Sequence, residues 1–293
     1  FIQRWKGHPL IVPSIAPHAP YTCTKEILQA ASALAVEFDI PLQIHIAETA
    51  QEVETSRQEH DMPVVPYVKK QTIFNAKVLA AHCVHVDDGE IKTLKHHNAG
   101  VAHNPSSNLK LASGFAPISE MQSAELNVGI GTDGPASNND LDMFEEMRLA
   151  AFIAKGHTGD PTALPATQAL LMGTRLGARA LHIGDITGSI QPGKRADLIL
   201  VDIGRLHQTP RFRREPDSLY AQVIYAGHAT DVTDVMVNGR WLMRDQVLLT
   251  VDEDAAREAA IDVAASWGVP HVQSFHSVAA LPRSPLSQGE PPE

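Results

Sequence analysis

The chain has 293 residues, 43% hydrophobic and 20% charged, an ordinary globular balance with enough apolar material for a sizeable core. A net charge of −10 with no long basic run argues against nucleic acid or an anionic membrane surface as partner. No run of about 18 apolar residues argues for a membrane span, and two cysteines, Cys23 and Cys83, make no disulfide framework and fit a reducing cytoplasm.

The opening FIQRWKGHPL has no Met and no signal-peptide pattern, so it reads as a cut from something longer. Five short runs follow: PLIVPSIA (9–16), IPLQIHIA (40–47), KVLAAHCV (77–84), AGVAHN (99–104) and LNVGIGTD (126–133). Their Val, Ile and Leu content and their length predict buried parallel strands. A helical pattern follows each. After the first, Thr24 is expected to cap a helix that buries Ile27, Ala31, Leu34 and Phe38 on one face. After the last, Asn139 is expected to cap a helix with Asp142, Glu145 and Glu146 at its positive end. This alternation predicts a parallel α/β sheet, open or closed into a barrel. Five units are visible where a closed (β/α)8 barrel needs eight, and the glycine-rich phosphate turn of a doubly wound sheet is missing. Residues 162–181 read as helical. Texture changes at GSIQPGKRADLILVD (188–202), and DVTDVMVNGRWLM (231–243) reads as a hairpin about an Asn-Gly turn. A helix at about 252–267 and a proline-rich, disordered tail end the chain. The organisation expected is a catalytic part over 1–185, a small β module over 186–250, and a helix with tail over 251–293.

The C-terminal ends of the five runs deliver His18, the pair His45 and Glu48, His82, His103 and Asp133. In a parallel barrel that rim carries the chemistry. Taken singly, each has a plainer reading. His18 lies in the proline-fixed turn PHAP, and His103 orients the loop HNPSSN. His85, His96 and His97 are solvated, Cys83 is packing, and Asp133 suits a tight Gly-Thr-Asp-Gly bend. Taken together, His45, His82 and Asp133 on three strands of one rim point to a metal site. Imidazole and carboxylate suit Zn2+, and also Fe2+ or Mn2+. Such an ion lowers the pKa of a bound water to about 7, and Glu48 is placed to act as the accompanying acid.

At these residues the chain resembles the amidohydrolase superfamily, and within it the branch of S-adenosylhomocysteine/5′-methylthioadenosine deaminases, related to triazine chlorohydrolases. The matching stretches are APHAPYTC (16–23), IHIAET (44–49), AAHCVH (80–85), HNPSSNLKLASGFAP (103–117), GTDGPASNNDLDMFEEMR (131–148) and GSIQPGKRADLILVD (188–202). The resemblance implies the C-terminal part, about strands four to eight, of a metal-dependent (β/α)8 TIM barrel with part of a small β-sandwich domain. It implies one zinc ion per subunit, with His45 and Asp133 as ligands. Asp133 also takes the proton from water, Glu48 protonates the purine ring nitrogen, and His82 orients the hydroxide. His18 contacts the nucleoside, Glu48 also meets it, and Ser137 borders the base. The implied reaction turns an adenine nucleoside into its inosine analogue and ammonia. The partner is then a small-molecule nucleoside, with a homo-oligomer also allowed.

One departure stands out. The family's remaining two ligands form a His-x-His motif on the first strand, and no such motif occurs here; His82 and His85 are three apart. By the resemblance, the chain begins near the fourth strand, so the 293 residues alone are expected to be inactive and poorly stable, with open sheet edges that invite pairing. Rival readings are a chlorohydrolase or deaminase of a triazine or guanine, and a non-catalytic homologue.

Overall fold

The computed structural model describes residues 1–211 and 217–268. Alternation along PLQIHI explains β1 (Pro41–Ile46): Leu42, Ile44 and Ile46 are buried, while Gln43 and His45 lie half-buried on the other face. Burying each of those three aliphatic side chains contributes roughly 1.5–3 kcal/mol. With β2 (Lys77–His82), β3 (Gly100–His103) and β4 (Asn127–Ile130), β1 makes a parallel sheet in chain order. The register sets His45 beside Ala81, Ala81 beside Ala102, and Ala102 beside Gly129, so one face carries His45 next to a row of small residues. Helices connect the strands, as parallel pairing requires. The result is an α/β architecture whose parallel sheet corresponds to part of a (β/α)8 barrel, with a separate antiparallel sheet after it.

The first predicted strand, 9–16, does not form as a strand. It touches the sheet through a single bridge, Ile15 to Leu42. Ile15 N–H donates to Pro41 O (3.0 Å) and Gln43 N–H to Ile15 O (2.8 Å), but the next donor in that ladder would be Pro17, which has no N–H. His45 N–H then reaches past it to His18 O at 3.0 Å.

The helix Lys25–Phe38 starts at Thr24, whose side chain accepts from Ile27 N–H, as expected. Its buried face differs from the expectation. Leu28, Ser32 and Ala35 are buried, whereas Ile27 and Leu34 are exposed. Polar anchors turn the helix this way: Ser32 Oγ donates to Thr72 O (2.6 Å), and Gln29 donates to Gln71 Oε1 (3.1 Å). The cap of the helix Met143–Thr158 also differs. Asp142, not Asn139, accepts from Phe144 N–H (2.7 Å), because Asn139 closes the preceding short helix Pro135–Asn138.

The helix Arg175–Ala180 packs against β3 and β4. A Cβ on Gly100 would fall 2.1 Å from Ala180 O, and one on Gly129 would fall 2.8 Å from Gly177 Cα. Only glycine permits that approach. His182 Nε2 donates to Val78 O at 3.0 Å beside it. His45, His82 and Asp133 lie at or just past the C-terminal ends of β1, β2 and β4.

The second sheet takes β5 (Leu198–Val201), β6 (Val232–Val237), β7 (Arg240–Arg244) and β8 (Val247–Leu248) in that order. The expected hairpin is present between β6 and β7, with Asn238 and Gly239 both at positive φ, 49° and 79°. A second compact unit runs from Leu248 and holds the helix Glu253–Ser266, capped by Asp252. The tail expected to be disordered lies outside the described residues. Among those described, no helix is long and apolar enough to cross a membrane.

Candidate metal centre

Three strand ends of the parallel sheet turn through left-handed backbone. Ala47 follows β1 at φ 50°, His82 and Cys83 end β2 at 70° and 49°, and Asp133 follows β4 at 59°. Each such non-glycine conformation costs on the order of 1–3 kcal/mol. Together they bring His45, His82 and Asp133 to one point, with one potential ligand atom from each all within 4.8 Å of one another.

The hydrogen bonds around these side chains select the tautomer that each neutral ring adopts. His45 Nδ1 faces His18 O at 2.6 Å. A carbonyl only accepts, so Nδ1 carries a proton, and in the neutral ring Nε2 is the nitrogen with the free lone pair. His82 is buried, and its Nδ1 donates to Asn108 Oδ1 at 2.8 Å. Its Nε2 is buried and makes no hydrogen bond among the described residues. That atom lies 3.9 Å from Glu48 Oε2 and 3.9 Å from Asp133 Oδ2. Asp133 Oδ2 accepts from Ser107 Oγ (2.7 Å) and Oδ1 from Gly134 N–H (2.7 Å). Burial pushes the Asp133 carboxyl up, but the hydrogen bonds from Ser107 and Gly134, and after them positive charge on the His82 and His45 rings when these are protonated, outweigh it and hold it below the usual carboxylate range. In their neutral tautomers the two imidazoles each offer a free Nε2, and with an ionised carboxylate, each braced from behind, they are a donor set that fits a divalent cation such as zinc.

Glu48 is half-buried beside His82, and its N–H donates to Glu52 Oε2 at 2.7 Å. Glu52 is itself buried; desolvation lifts its carboxyl to about 7 against the pull of neighbouring backbone N–H groups. Tyr21 is near enough to both acids that burial and then Glu48 and Glu52 push its phenol up.

Of the expected site residues, His45, Glu48, His82 and Asp133 come together. His18 packs on His45, with ring centroids 4.9 Å apart, and its Nδ1 pairs with Thr22 Oγ1 at 2.8 Å. Ser137 lies in the short helix Pro135–Asn138 and makes no hydrogen bond to those four among the described residues. His103 is buried and held neutral, its pKa pushed down to about 3 by burial and then by His82. His85 is not simply solvated, since its Nε2 donates to Ser113 O at 2.7 Å. Ser107, Asn108 and Glu52 were missed. The first two sit in HNPSSN, where Ser and Asn signal a turn; only the fold turns them toward Asp133 and His82.

Residues 2–242 match the amidohydrolase family. The chain belongs to that family. A 5-methylthioadenosine/S-adenosylhomocysteine deaminase of Moorella thermoacetica is similar to it, 46% identical over 255 residues that cover 86% of this chain and 58% of the relative. Another, of Pelotomaculum thermopropionicum, is 44% identical over 256 residues, 87% of this chain and 58% of its own length. Among solved structures, an adenosine deaminase from Xanthomonas campestris with bound zinc matches with a TM-score of 0.86 at 38% identity, covering 92% of this chain and 60% of that one. An atrazine chlorohydrolase from Arthrobacter aurescens, complexed with zinc, shares the fold, with a TM-score of 0.76 at 24% identity over 90% of this chain and 59% of that one. This amidohydrolase chain thus spans about three-fifths of the length of these relatives.

Proposed function

We propose that this amidohydrolase chain is part of a zinc-dependent hydrolytic deaminase of an adenine nucleoside, 5′-methylthioadenosine or S-adenosylhomocysteine. The observation that carries the reading is the convergence of His45, His82 and Asp133 on one point, with the Glu48 carboxyl beside it. The names of the relatives at 44% and 46% identity supply the substrate class. The zinc held by the Xanthomonas campestris structure supports the choice of metal.

His45 and Asp133 would hold the ion, whose chemistry, when bound, is to lower the pKa of a water to about 7. The remaining work falls to side chains. Water's oxygen adds to C6 of the adenine. Asp133 takes the proton that water loses, while the imidazole of His82 orients the attacking oxygen. Glu48 gives its proton to N1, so the ring accepts the electron pair displaced from the C6–N1 bond. The amino group leaves C6 as ammonia once a proton reaches it, and the product is the inosine analogue. Each positioned acid or base contributes typically ~10²–10⁴-fold. His18 and Ser137 are assigned to the nucleoside, the first because its ring packs on His45. Within the chain, residues 1–185 form the catalytic part and 186–250 a small β module. Free Cys23 and Cys83 suit a reducing cytoplasm.

The test is a chimera in which the N-terminal part of the Moorella thermoacetica relative precedes Phe1. With zinc it is expected to release ammonia from 5′-methylthioadenosine, and Glu48→Gln or Asp133→Asn is expected to abolish this without unfolding the protein. Release of chloride from a chlorotriazine, or ammonia from guanine but from no adenine nucleoside, would overturn the substrate assignment. Near-normal turnover in either variant would overturn the roles.

A further inference from the structure

Glu146 sits in the first turn of the helix Met143–Thr158, where an acid ordinarily faces solvent and answers the helix dipole. Its neighbour Glu145 is exposed in that way. Glu146 is not: it is 1% exposed. Its Oε2 accepts from Ser106 N–H at 3.1 Å, and its Oε1 accepts from Asn138 Nδ2 at 2.7 Å. The same Asn138 amide donates its second hydrogen to Thr132 O at 2.8 Å. Burial pushes the Glu146 carboxyl up against the pull of Ser106 and Asn138.

These contacts join two segments with different duties. Ser106 immediately precedes Ser107, which holds Asp133, and Asn108, which holds His82. Thr132 immediately precedes Asp133. A second tie runs the same way, from Lys110 Nζ to Ala136 O (2.7 Å) and to Asn139 Oδ1 (2.5 Å). Lys110 is exposed, however, and its ties reach the outer end of the turn. The inner tie, next to Asp133, depends on one buried carboxylate.

We propose that Glu146 is a positioning residue: it clamps the Asp133 turn to the helix Pro105–Lys110, so that Ser107 and Asn108 meet Asp133 and His82 in register. An acceptor-only group is required there. A carboxylate meets donors with both of its oxygens, whereas a glutamine must turn its NH2 toward one of them. The Glu146 carboxyl bonds Ser106 and Asn138 and none of His45, His82 or Asp133, so its effect on them passes through Ser107 and Asn108. The proposal rests on the reading of His45, His82 and Asp133 as a metal centre.

The test uses the 293-residue chain and Co2+ as probe, with affinity read from the visible spectrum of the bound ion and backbone protection read by hydrogen exchange without metal. Glu146→Gln is expected to weaken Co2+ binding about tenfold, in the range typical for loss of outer partners, and to speed exchange at Ser106 and Gly134 while the amides of β1 and β2 keep their protection. Glu90→Gln is the control. It alters another buried carboxyl, one that accepts from Val65 and Asp87 N–H and makes no hydrogen bond to Ser106, Ser107, Asn108 or Asp133, and should leave Co2+ affinity unchanged. In a Ser107→Ala background the Glu146→Gln effect should shrink, because the two act through one path. Unchanged affinity in Glu146→Gln, an equal loss in Glu90→Gln, or full additivity with Ser107→Ala would overturn the proposal. Should the unaltered chain, which spans about three-fifths of its relatives, bind no Co2+, the metal-centre reading is left to the chimera, and the clamp is decided by exchange at Ser106 and Gly134: no change there overturns it.

Discussion

Ser107 offers the sharpest measurement of how the site is held. Its side chain is fully buried, and Oγ donates to Asp133 Oδ2 at 2.7 Å. Ser107→Ala deletes one oxygen, so the void is small and the lost bond dominates. A hydrogen bond to a charged acceptor contributes roughly 1.5–3 kcal/mol, and the variant should unfold about 2 kcal/mol more easily at pH 7. The sign of the pH dependence follows from Asp133. Its carboxyl lies below the usual range in the folded chain, so its linked stability is full above the unfolded value and is lost as pH falls through the folded one. Removing Ser107 moves the folded value back up. The deficit of Ser107→Ala should therefore shrink as the pH drops below the usual carboxylate range. Ser32→Ala is the reference: Ser32 is equally buried, but its Oγ donates to a neutral carbonyl, Thr72 O. It should cost about 1 kcal/mol at every pH. Urea unfolding of the metal-free chain across a pH series reads both. A deficit under about 0.5 kcal/mol for Ser107→Ala at pH 7, or one that grows on acidification, would refute the reasoning.

Two further outcomes follow from burial. Glu52 keeps its proton to about pH 7 in the folded chain against 4.5 for an ordinary glutamate, so stability should fall as pH rises between those values. The gap corresponds to about 3 kcal/mol, and Glu52→Gln should flatten that slope; a variant with the parent's slope in urea unfolding contradicts the assignment. On the helix Lys25–Phe38, Leu28→Ala should cost ~2–5 kcal/mol and Ile27→Ala within about 1 kcal/mol, because Leu28 is fully buried and Ile27 is 51% exposed. Equal losses at the two positions would put the helix the other way round.

What could be read from the amino acids was whatever repeats locally. Period-two patterning marked β1 and aimed His45 to the face opposite Leu42, Ile44 and Ile46. The Asn238-Gly239 turn announced its hairpin. Polar residues at successive strand ends marked the metal-site candidates before any geometry was known. What escaped was set at long range. Asn108 meets His82 across 26 positions, and Ser107 meets Asp133 across another 26. Neither contact leaves a periodic trace. Glu146 carries the signature of a dipole-facing acid, and only its burial distinguishes it from Glu145. On the helix Lys25–Phe38, the more apolar stripe was expected inside; two side-chain hydrogen bonds, from Gln29 and Ser32, decided for the other face. The run 9–16 had a strand's composition, but Pro17 withdrew the donor that would have extended its pairing.

The left-handed turns at Ala47, His82, Cys83 and Asp133 bear on how such a protein can change. Each holds a side chain in a conformation that glycine would adopt with less strain. At Ala47 and Cys83 a glycine could relax the backbone, yet the relaxed loop would no longer be obliged to present Glu48 or His82 at a fixed angle. At His82 and Asp133 the same relaxation deletes the functional group outright. A search that rewards thermal robustness alone would therefore gravitate to these four positions and dismantle the centre as it succeeded. Variants selected for durability should be screened for metal retention at the same time.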